Sequence, residues 1–302
     1  MITPALLCER DRYVRVMDGW VDASHEDAFT HTVALSDDDR GIELSIVALP
    51  SPAYQIREAR CRPVTGTLDP AVIAGVQKLA GTQMVSGLGR RVAELTGRGA
   101  GAGLVLDAII EVARLARQVT KHPRERAERA AGNAWECWQL DMTGWIDLPN
   151  SCFAYSDAGR ALFATRSVAT PMQPDLYSPR PGQRRVFERK KVARLERLDS
   201  RLRLFHSMYD NVHGFEITYE IDLATGQIVR ADHATPRLPY MGICTEPQRK
   251  IQALLGETAD EGLRKRIQTH LGGETGCAQL YDLTADLLKL LREGESPRPS
   301  RG

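Results

Sequence analysis

Two cysteines in the last third of the 302-residue chain stand where a folded protein can use a thiol for chemistry. Cys277, in the segment GGETGCAQL, opens a predicted helix, and the unpaired backbone N–H groups of a helix start favour a thiolate. Cys244, in YMGICTEP, comes just before another predicted helix, with Pro247 in its first turn. A thiolate binds metal ions or attacks carbon, so both cysteines are candidate ligands and Cys277 is a candidate nucleophile.

A histidine and an aspartate on a predicted strand could complete a site with these thiols. His206, in LFHSMYD, is predicted at the entrance of the first strand of the C-terminal half, and Asp210 follows four residues later. If the strand delivers either side chain to the edge where the helices of Cys244 and Cys277 begin, three or four ligands suited to zinc or iron converge. The residues leave a second interpretation open, in which the cysteines are small buried apolar residues and His206 is an ordinary hydrogen-bonded histidine.

The elements that must position these residues occur twice along the chain. A shift of 175 residues gives ten identities between residues 76–116 and the second half, where background composition gives about two or three. This alignment pairs Cys277 with Ala102, and the first half has no cysteine in the place of Cys244. His31 is predicted as the counterpart of His206. The thiols therefore belong to the second copy alone.

Each half is predicted to form an antiparallel hairpin or meander followed by helices. Residues 41–49 and 214–223 alternate apolar and polar side chains, as a half-buried strand requires, and each is followed by a second strand. Helices are predicted at about 70–80, 84–96 and 102–118, and again at about 247–255, 258–271 and 277–292. Helices that follow strands indicate the α+β class, here with two tandem related halves.

The predicted domain organisation has four parts. A first, degenerate repeat occupies residues 1–120, and a second repeat with the candidate site occupies residues 196–292. Between them, residues 121–195 supply a connecting helix, strands and a Pro/Arg-rich linker, and residues 293–302 form a tail too polar to fold. We expect residues 170–191 to be mobile, with a solvated basic cluster formed by Arg184, Arg185, Lys190 and Lys191.

Composition narrows the classes of function. Lys and Arg number 40 against 39 Asp and Glu, a formal net charge of +1, so no overall charge favours nucleic acid or an anionic membrane. The six cysteines form no CxxC pair, as is typical of reduced thiols in a cytosol. The most apolar run, residues 103–119, carries charges at helical spacing, and the first residues lack the pattern of a secretory signal. We expect a cytoplasmic protein that binds neither nucleic acid nor membranes.

The second half, from HSMYD to GETGCAQLYDL, resembles a bacterial family known as domain of unknown function 2889. The family's His-Asp-Met-like, Ile-Cys-Pro-like and Gly-Cys-Thr-His-Leu segments appear here as His206-Ser207-Met208, Ile243-Cys244-Thr245 and Gly276-Cys277-Ala278-Gln279-Leu280. The resemblance covers about residues 200–292, with a fainter echo over 30–118. It implies a site built from these segments, in which Ser207 and Gln279 replace the family's aspartate and histidine.

A more distant topological similarity links the chain to NifU- and SufU-type scaffold proteins. The shared order is a strand pair, a cysteine before a helix, and a late cysteine that opens the final helix. Those proteins hold zinc or an iron–sulfur cluster and pass on sulfur. The similarity concerns topology, and a shared fold does not by itself carry a function.

Three hypotheses of function follow. The first is a metal-binding or sulfur-handling protein with His206, Asp210, Cys244 and Cys277 around one zinc or iron ion. The second is an enzyme of small-molecule catabolism, acting on an aromatic acid or its thioester, with Cys277 as nucleophile or His206 as general base. The third is a non-catalytic subunit that binds another protein. We favour the first.

Overall fold

A computed structural model describes residues 11–293, and this part of the chain divides into two compact units. The N-terminal unit contains residues 16–148 and 170–190. The C-terminal unit contains residues 11–15, 149–169 and 191–293. The chain thus enters each unit more than once, and the segment 149–169 belongs to the C-terminal unit although residues on both sides of it belong to the other. We call residues 149–169 the inserted segment.

The N-terminal unit contains an antiparallel meander. Its strands are β1 (Arg12–Asp22, of which residues 16–22 belong to this unit), β2 (Phe29–Asp37), β3 (Gly41–Ala48) and β4 (Ile56–Thr65), in the sheet order β4-β3-β2-β1. Along β3, Ile42, Leu44 and Ile46 are buried while the residues between them are partly exposed. This alternation is typical of a sheet that is covered on one face.

Helices follow the strands in this unit. They are α1 (Pro70–Gln77), α2 (Leu88–Thr96), α3 (Ala102–Leu115), α4 (Arg124–Ala130), α5 (Ala134–Gly144) and α7 (Pro174–Tyr177). Helix α1 begins where the sequence places it, because the Asp69 carboxylate accepts the Ala71 N–H at 2.8 Å and Pro70 occupies the first turn. Helix α3 packs against β2 and β3 and covers their apolar face.

The C-terminal unit has the same order of elements. Its strands are β5 (Phe187–Leu198, of which residues 191–198 belong to this unit), β6 (Arg201–Asp210), β7 (Gly214–Asp222) and β8 (Ile228–Arg237), in the order β5-β6-β7-β8. A 3-10 helix (Glu246–Leu254), α8 (Leu263–Leu271) and α9 (Ala278–Glu293) follow. Helix α9 packs on β6 and β7 as α3 does on β2 and β3. The inserted segment adds a short 3-10 helix (Phe153–Tyr155) and α6 (Asp157–Leu162).

The central hairpins of the two units have the same connection. Ser36 pairs with Gly41 at the end of the β2–β3 hairpin, and Tyr209 pairs with Gly214 at the end of β6–β7, so four residues join the strands in each case. With the hairpins superposed by this connection, His206 occupies the position of Val33.

The prediction that His31 corresponds to His206 is therefore wrong, since the hairpin counterpart of His31 is Leu204. Helices α2 and α8 are 175 residues apart, whereas Gly41 and Gly214, which begin β3 and β7, are 173 residues apart. The alignment drawn from the helices therefore slips by two residues in the strands. Alternate residues of a strand lie on the same face of a sheet, so the two-residue slip gave His31 the wrong counterpart but the correct face.

The outer strand pairs share their irregularities as well. In both β3–β4 and β7–β8, one register shift follows the first residue of the inner strand and a second falls between its seventh and eighth residues. Isolated bridges then join Gln55 to Gln83 and Gln227 to Thr258, each linking the start of the last strand to the loop before a helix. β-Bulges change the direction of a strand, and they are specific structural features rather than defects.

The predicted α+β class, with an antiparallel meander followed by helices, is confirmed. Residues 170–191, expected to be mobile, instead contain α7 and the start of β5. Lys191 is only 4% exposed and lies 3.5 Å from the Asp286 carboxylate, so the basic cluster is not a wholly solvated face. Apart from residue 293, the predicted tail lies outside the described residues. No helix between residues 11 and 293 has the length and apolarity needed to cross a bilayer.

Candidate thiol site

Cys277 lies at the start of α9, where the sequence predicts it. Its carbonyl accepts the Tyr281 N–H at 2.9 Å, and its sulfur accepts the Leu280 N–H at 3.5 Å. The preceding residue is Gly276, where a Cβ atom would lie 2.0 Å from the Leu271 carbonyl oxygen. Glycine therefore allows the close turn that brings Cys277 to the helix start.

A second thiol, Cys152 of the inserted segment, lies beside Cys277. The Phe153 N–H donates to the Gly276 carbonyl at 2.9 Å. Because Phe153 follows Cys152 and Gly276 precedes Cys277, this hydrogen bond brings the two cysteines close together. The two sulfurs are near enough for charge on Cys277 to raise the pKa of Cys152. Both side chains are partly exposed, so a small reagent can reach them. The structure thus assembles a pair of thiols that the sequence did not indicate.

Hydrogen-bond donors lie near both thiols. The Leu280 N–H donates to the Cys277 sulfur at 3.5 Å, and hydrogen bonding from the Gln248 side chain also lowers the pKa of Cys277. Cys152 precedes the 3-10 helix Phe153–Tyr155 without a side-chain capping hydrogen bond, and hydrogen bonding from the backbone of Ala154 and Tyr155 lowers its pKa. Such donors stabilise negative charge on sulfur.

Burial nevertheless controls the protonation of both thiols. Burial, together with charge on Cys277, raises the pKa of Cys152 to about 12 against the effect of the nearby donors. Burial also raises the pKa of Cys277, although the Gln248 amide and the helix-start N–H groups lower it. The expectation that the helix start would leave Cys277 as a thiolate is therefore wrong, since both groups are neutral thiols at pH 7.

Gln248 connects Cys244 with this pair. Cys244 is 8% exposed, and its carbonyl accepts a hydrogen bond of 2.8 Å from Nε2 of Gln248, whose amide also reaches the Cys277 thiol. Gln248 is 1% exposed, and its Oε1 has no hydrogen-bond partner among the described residues. A buried amide oxygen without a partner is uncommon in folded proteins and marks this place as a candidate for a bound ligand.

Aromatic and polar contacts hold the inserted segment against the turn that precedes Cys244. The fully buried Tyr240 ring meets Tyr155 edge to face at a centroid distance of 6.2 Å and Phe163 at 5.7 Å. Arg166 donates to the Gly242 carbonyl at 2.9 Å, and it also pairs with Glu246. Edge-to-face aromatic pairs are each worth about 0.5–1.5 kcal/mol beyond their burial, so the position of Cys152 is well fixed.

His206 lies in the middle of β6 rather than at the entrance of a first strand, since β5 precedes β6. It is 3% exposed, and its Nδ1 is 2.9 Å from the Leu283 carbonyl oxygen of α9. A carbonyl only accepts, so Nδ1 carries a proton in this contact. At the next residue of α9, the Thr284 hydroxyl is 2.8 Å from the Tyr219 hydroxyl. These contacts dock α9 onto the sheet.

Asp210 closes the β6–β7 hairpin. Its Oδ1 accepts the N–H groups of Val212 and His213, at 2.7 and 2.5 Å, and the His213 ring Nδ1 is 3.1 Å from the carboxylate. Asp37 has the same position in the β2–β3 hairpin, where it accepts the Arg40 N–H at 2.8 Å. Because the N-terminal unit, which lacks the thiol pair, has the same turn, the contacts of Asp210 are explained by the hairpin.

The four predicted ligands therefore have different partners in the structure. Cys244 and Cys277 are connected through Gln248, whereas Leu283 engages His206 and the hairpin engages Asp210. Within residues 11–293, no three His, Cys, Asp or Glu side chains are grouped so that they could hold a metal ion. A zinc or iron site made from all four residues stays a prediction.

Nothing in the sequence around Cys152 pointed to its role. It lies about 120 residues before Cys277, in a segment that the sequence analysis assigned to the connection between the halves. The Phe153–Gly276 hydrogen bond and the Tyr240 cluster that bring it to the site are long-range contacts. Gln248 was likewise not anticipated, because a glutamine in a helical segment is ordinarily exposed.

The fold and this site together define an α+β protein with a thiol pair in its C-terminal unit. Residues 195–291 match the model of a family described as Protein of unknown function (DUF2889). The match supports the resemblance drawn from the motifs and includes Cys244 and Cys277, but it begins at residue 195, after the inserted segment and Cys152. No curated protein and no solved structure matches the chain.

Proposed function

We propose that this protein binds a metal ion or handles sulfur at one thiol site in its C-terminal unit, formed by Cys277 and Cys152. The observation that carries the proposal is the convergence of these thiols, which are distant in sequence, at two adjacent helix starts. Thiolate sulfur is the protein ligand that soft and borderline metals prefer. The N–H donor on the Cys277 sulfur and the unpartnered Gln248 oxygen support a site rather than a chance contact of two cysteines.

We also propose that the two halves descend from one duplicated unit and that the N-terminal half lacks a site. The identical hairpin connection and the identical register shifts support a common origin. Ala102 begins α3 where Cys277 precedes α9, so the first half offers no thiol there. A distant relationship with NifU- and SufU-type scaffolds stays a prediction.

Metal analysis tests the metal-binding form of the proposal. Protein purified without a tag, under reducing conditions, should contain close to one metal ion per chain, with zinc, iron and copper all measured. The double variant Cys152→Ser, Cys277→Ser should lose it, because no other ligand pair can replace two thiolates. Cys61→Ser and Cys137→Ser, which change thiols of the other unit, are matched controls and should keep it. Equal metal content in all variants would refute metal binding at this site.

The same pair could handle sulfur. A thiolate of Cys277 attacks the outer sulfur of a donor persulfide and releases the donor thiolate, which leaves a persulfide on Cys277. Cys152 then attacks the Cys277 sulfur, forms a disulfide and expels hydrosulfide. Mass spectrometry after treatment with a low-molecular-weight persulfide should show one added sulfur in Cys152→Ser and none in Cys277→Ser. An added sulfur that survives the loss of Cys277 would exclude this form.

Catalysis on a small molecule by Cys277 or His206 stays a prediction. A nucleophilic Cys277 should react with iodoacetamide faster than Cys61 at neutral pH, whereas the raised pKa of Cys277 leads us to expect slow labelling. Fast and selective labelling of Cys277 would favour the enzyme over the binding protein.

A further inference from the structure

We infer that the ligand of the thiol site is a soft monovalent metal ion held by two sulfurs, of which Cu(I) is the biological representative. This inference rests on the proposed function and specifies its ligand. It replaces zinc or iron, which the sequence favoured, with an ion that needs fewer donors. Three features of the site carry it: the number and kind of donors, the hydrogen bonds to sulfur, and the route of access.

The donors are two soft sulfurs with at most one weak oxygen beside them. Cys152 and Cys277 supply the thiolates, and the unpartnered Oε1 of Gln248 is the additional acceptor. Structural zinc takes four ligands and catalytic zinc takes three with a water. Soft thiolates select Cu(I), which is satisfied by few ligands of this type. His206 and Asp210, the harder donors of the predicted set, are engaged by Leu283 and by the hairpin.

The hydrogen bonds to sulfur match the charge of such a complex. Two thiolates and one monovalent ion carry a net charge of −1, which is unfavourable in a buried place unless donors face it. The Leu280 N–H donates to the Cys277 sulfur at 3.5 Å, and the Lys250 ammonium donates to the Thr275 hydroxyl at 2.8 Å, two residues before Cys277. N–H groups at helix starts are suited to holding negative charge. The start of α9 therefore places a hydrogen-bond donor on the sulfur and a cation close by, as an anionic dithiolate complex needs.

Access to the site is available because both cysteine residues are partly exposed. Cys152 belongs to the inserted segment and Cys277 precedes α9, so the two ligands belong to different elements. An ion bound between them ties the inserted segment to α9. Binding should therefore raise the stability of the C-terminal unit, because a ligand that binds only the folded state stabilises it.

Competition with a Cu(I) chelator tests the inference. The full chain, reduced and kept free of oxygen, is titrated with the Cu(I) complex of bicinchoninate, and the chelator's absorbance reports transfer. We expect one Cu(I) per chain. Cys152→Ser and Cys277→Ser should each weaken binding by more than about 100-fold, since loss of a ligand exceeds the roughly 10- to 100-fold effect of losing an outer-shell partner. Cys61→Ser and Cys137→Ser are the matched controls.

X-ray absorption of the copper-loaded protein supplies a measurement that needs no variant. Two sulfur scatterers and no nitrogen are expected at the metal. Equal Cu(I) affinity in all variants, a nitrogen scatterer from His206, or a large loss in Cys244→Ser would each overturn the inference. If the thiol pair binds zinc but not Cu(I), the proposed site stands and this ligand assignment fails. If neither metal requires Cys152 and Cys277, the metal-binding proposal fails with it.

Discussion

Helices α3 and α9, which pack on the sheets of the two units, each begin close after a glycine, but only one of the two helix starts carries a thiol. Gly101 has a φ of 85°, which favours glycine, and a Cβ at Gly276 would lie 2.0 Å from the Leu271 carbonyl oxygen. Glycine is thus favoured by the fold in both places. The next residue is Ala102 in one unit and Cys277 in the other. A helix start of this kind therefore forms with or without sulfur.

The β2–β3 and β6–β7 hairpins have the same structure in the two units, but the side chains that face their aspartates differ. Asp37 and Asp210 close their hairpins in the same way, but the side chain that faces the carboxylate is Arg40 in one and His213 in the other. A residue that appeared to be a ligand in the sequence is therefore part of a turn that both units share. Comparison with the N-terminal unit, which lacks the thiol pair, separates structural residues from candidate site residues.

The largest expected effect on stability comes from Asp210. Its side chain is 0% exposed, and Asp210→Ala leaves the N–H groups of Val212 and His213 without their acceptor. We expect a loss of about 3 kcal/mol in the free energy of unfolding, measured by urea denaturation. Asp37→Ala should cost less, because the N–H groups of Asp39 and Arg40 that Asp37 accepts are more exposed than those of Val212 and His213. If Asp210→Ala lost no more stability than Asp37→Ala, the aspartate of the C-terminal hairpin would not be the more important of the two for folding.

The buried His31 should make the N-terminal unit sensitive to acid. Burial lowers its pKa to about 4, and a histidine in the unfolded chain titrates near 6.5. Between these values the unfolded state binds the proton and the folded state does not, so stability falls as the pH falls from about 6.5 to about 4, by roughly 3 kcal/mol in total. Above about 6.5 this contribution does not change with pH.

His31→Leu installs the residue that the C-terminal hairpin has at the same position, Leu204, and should flatten the dependence of stability on pH between 4 and 6.5. Thermal unfolding across this range is the measurement. The exposed His25, changed to Leu, serves as the control and should leave the profile as it is. A profile that is unchanged in His31→Leu would show that this imidazole is not the group responsible.

Removal of the thiols should have a smaller effect on folding. Cys277→Ala installs the residue of the other unit and removes one N–H···S contact, so we expect a loss of about 1 kcal/mol or less in the metal-free protein. Cys152→Ala should behave similarly. Urea denaturation in the presence of a chelator measures both. A loss above about 3 kcal/mol would assign the thiol to the core of the fold, against the comparison with Ala102.

The smallest effect is expected for the charged outer face of the C-terminal sheet. Arg201, Arg203 and Arg230 all pair with Glu220, which corresponds to Val47 in the other unit, and they lower its pKa. Each arginine side chain is at least 39% exposed, so Arg201→Ala should change the free energy of unfolding by less than about 1 kcal/mol. Denaturation at low and high salt would measure it. A larger, salt-independent loss would show that the cluster is an essential part of the sheet.

Local patterns made most of the fold predictable. Alternation in β3 and β7 and the glycines around α2, α3, α8 and α9 identified the elements because these signals need only nearby residues. Strand β5 was not predicted from the sequence, because its buried face carries Arg189 and Lys191. These residues are only 2% and 4% exposed, although charged residues ordinarily indicate a solvent-facing position. The helix alignment then displaced the strand correspondence by two residues, since sequence identity was concentrated in the helices.

The candidate site was only partly predictable for a related reason. Cys277 was found because a helix start can be located from glycine and the apolar period that follows it. Cys152 was not found, because its approach to Cys277 depends on the Phe153–Gly276 hydrogen bond and on aromatic packing around Tyr240. No local pattern encodes such contacts. The ligand role given to Asp210 came from its residue type, whereas the hairpin explains its contacts.

Reaction with phenylarsine oxide tests most directly whether Cys152 and Cys277 form one site. The arsenic atom bonds to two neighbouring thiols and releases one water, so it reports their proximity without any metal. We predict one arsenical per chain by mass spectrometry, absent from Cys152→Ser and from Cys277→Ser and retained in Cys61→Ser and Cys244→Ser. Uptake that persists without Cys277, or no uptake by the reduced wild-type chain, would contradict the account.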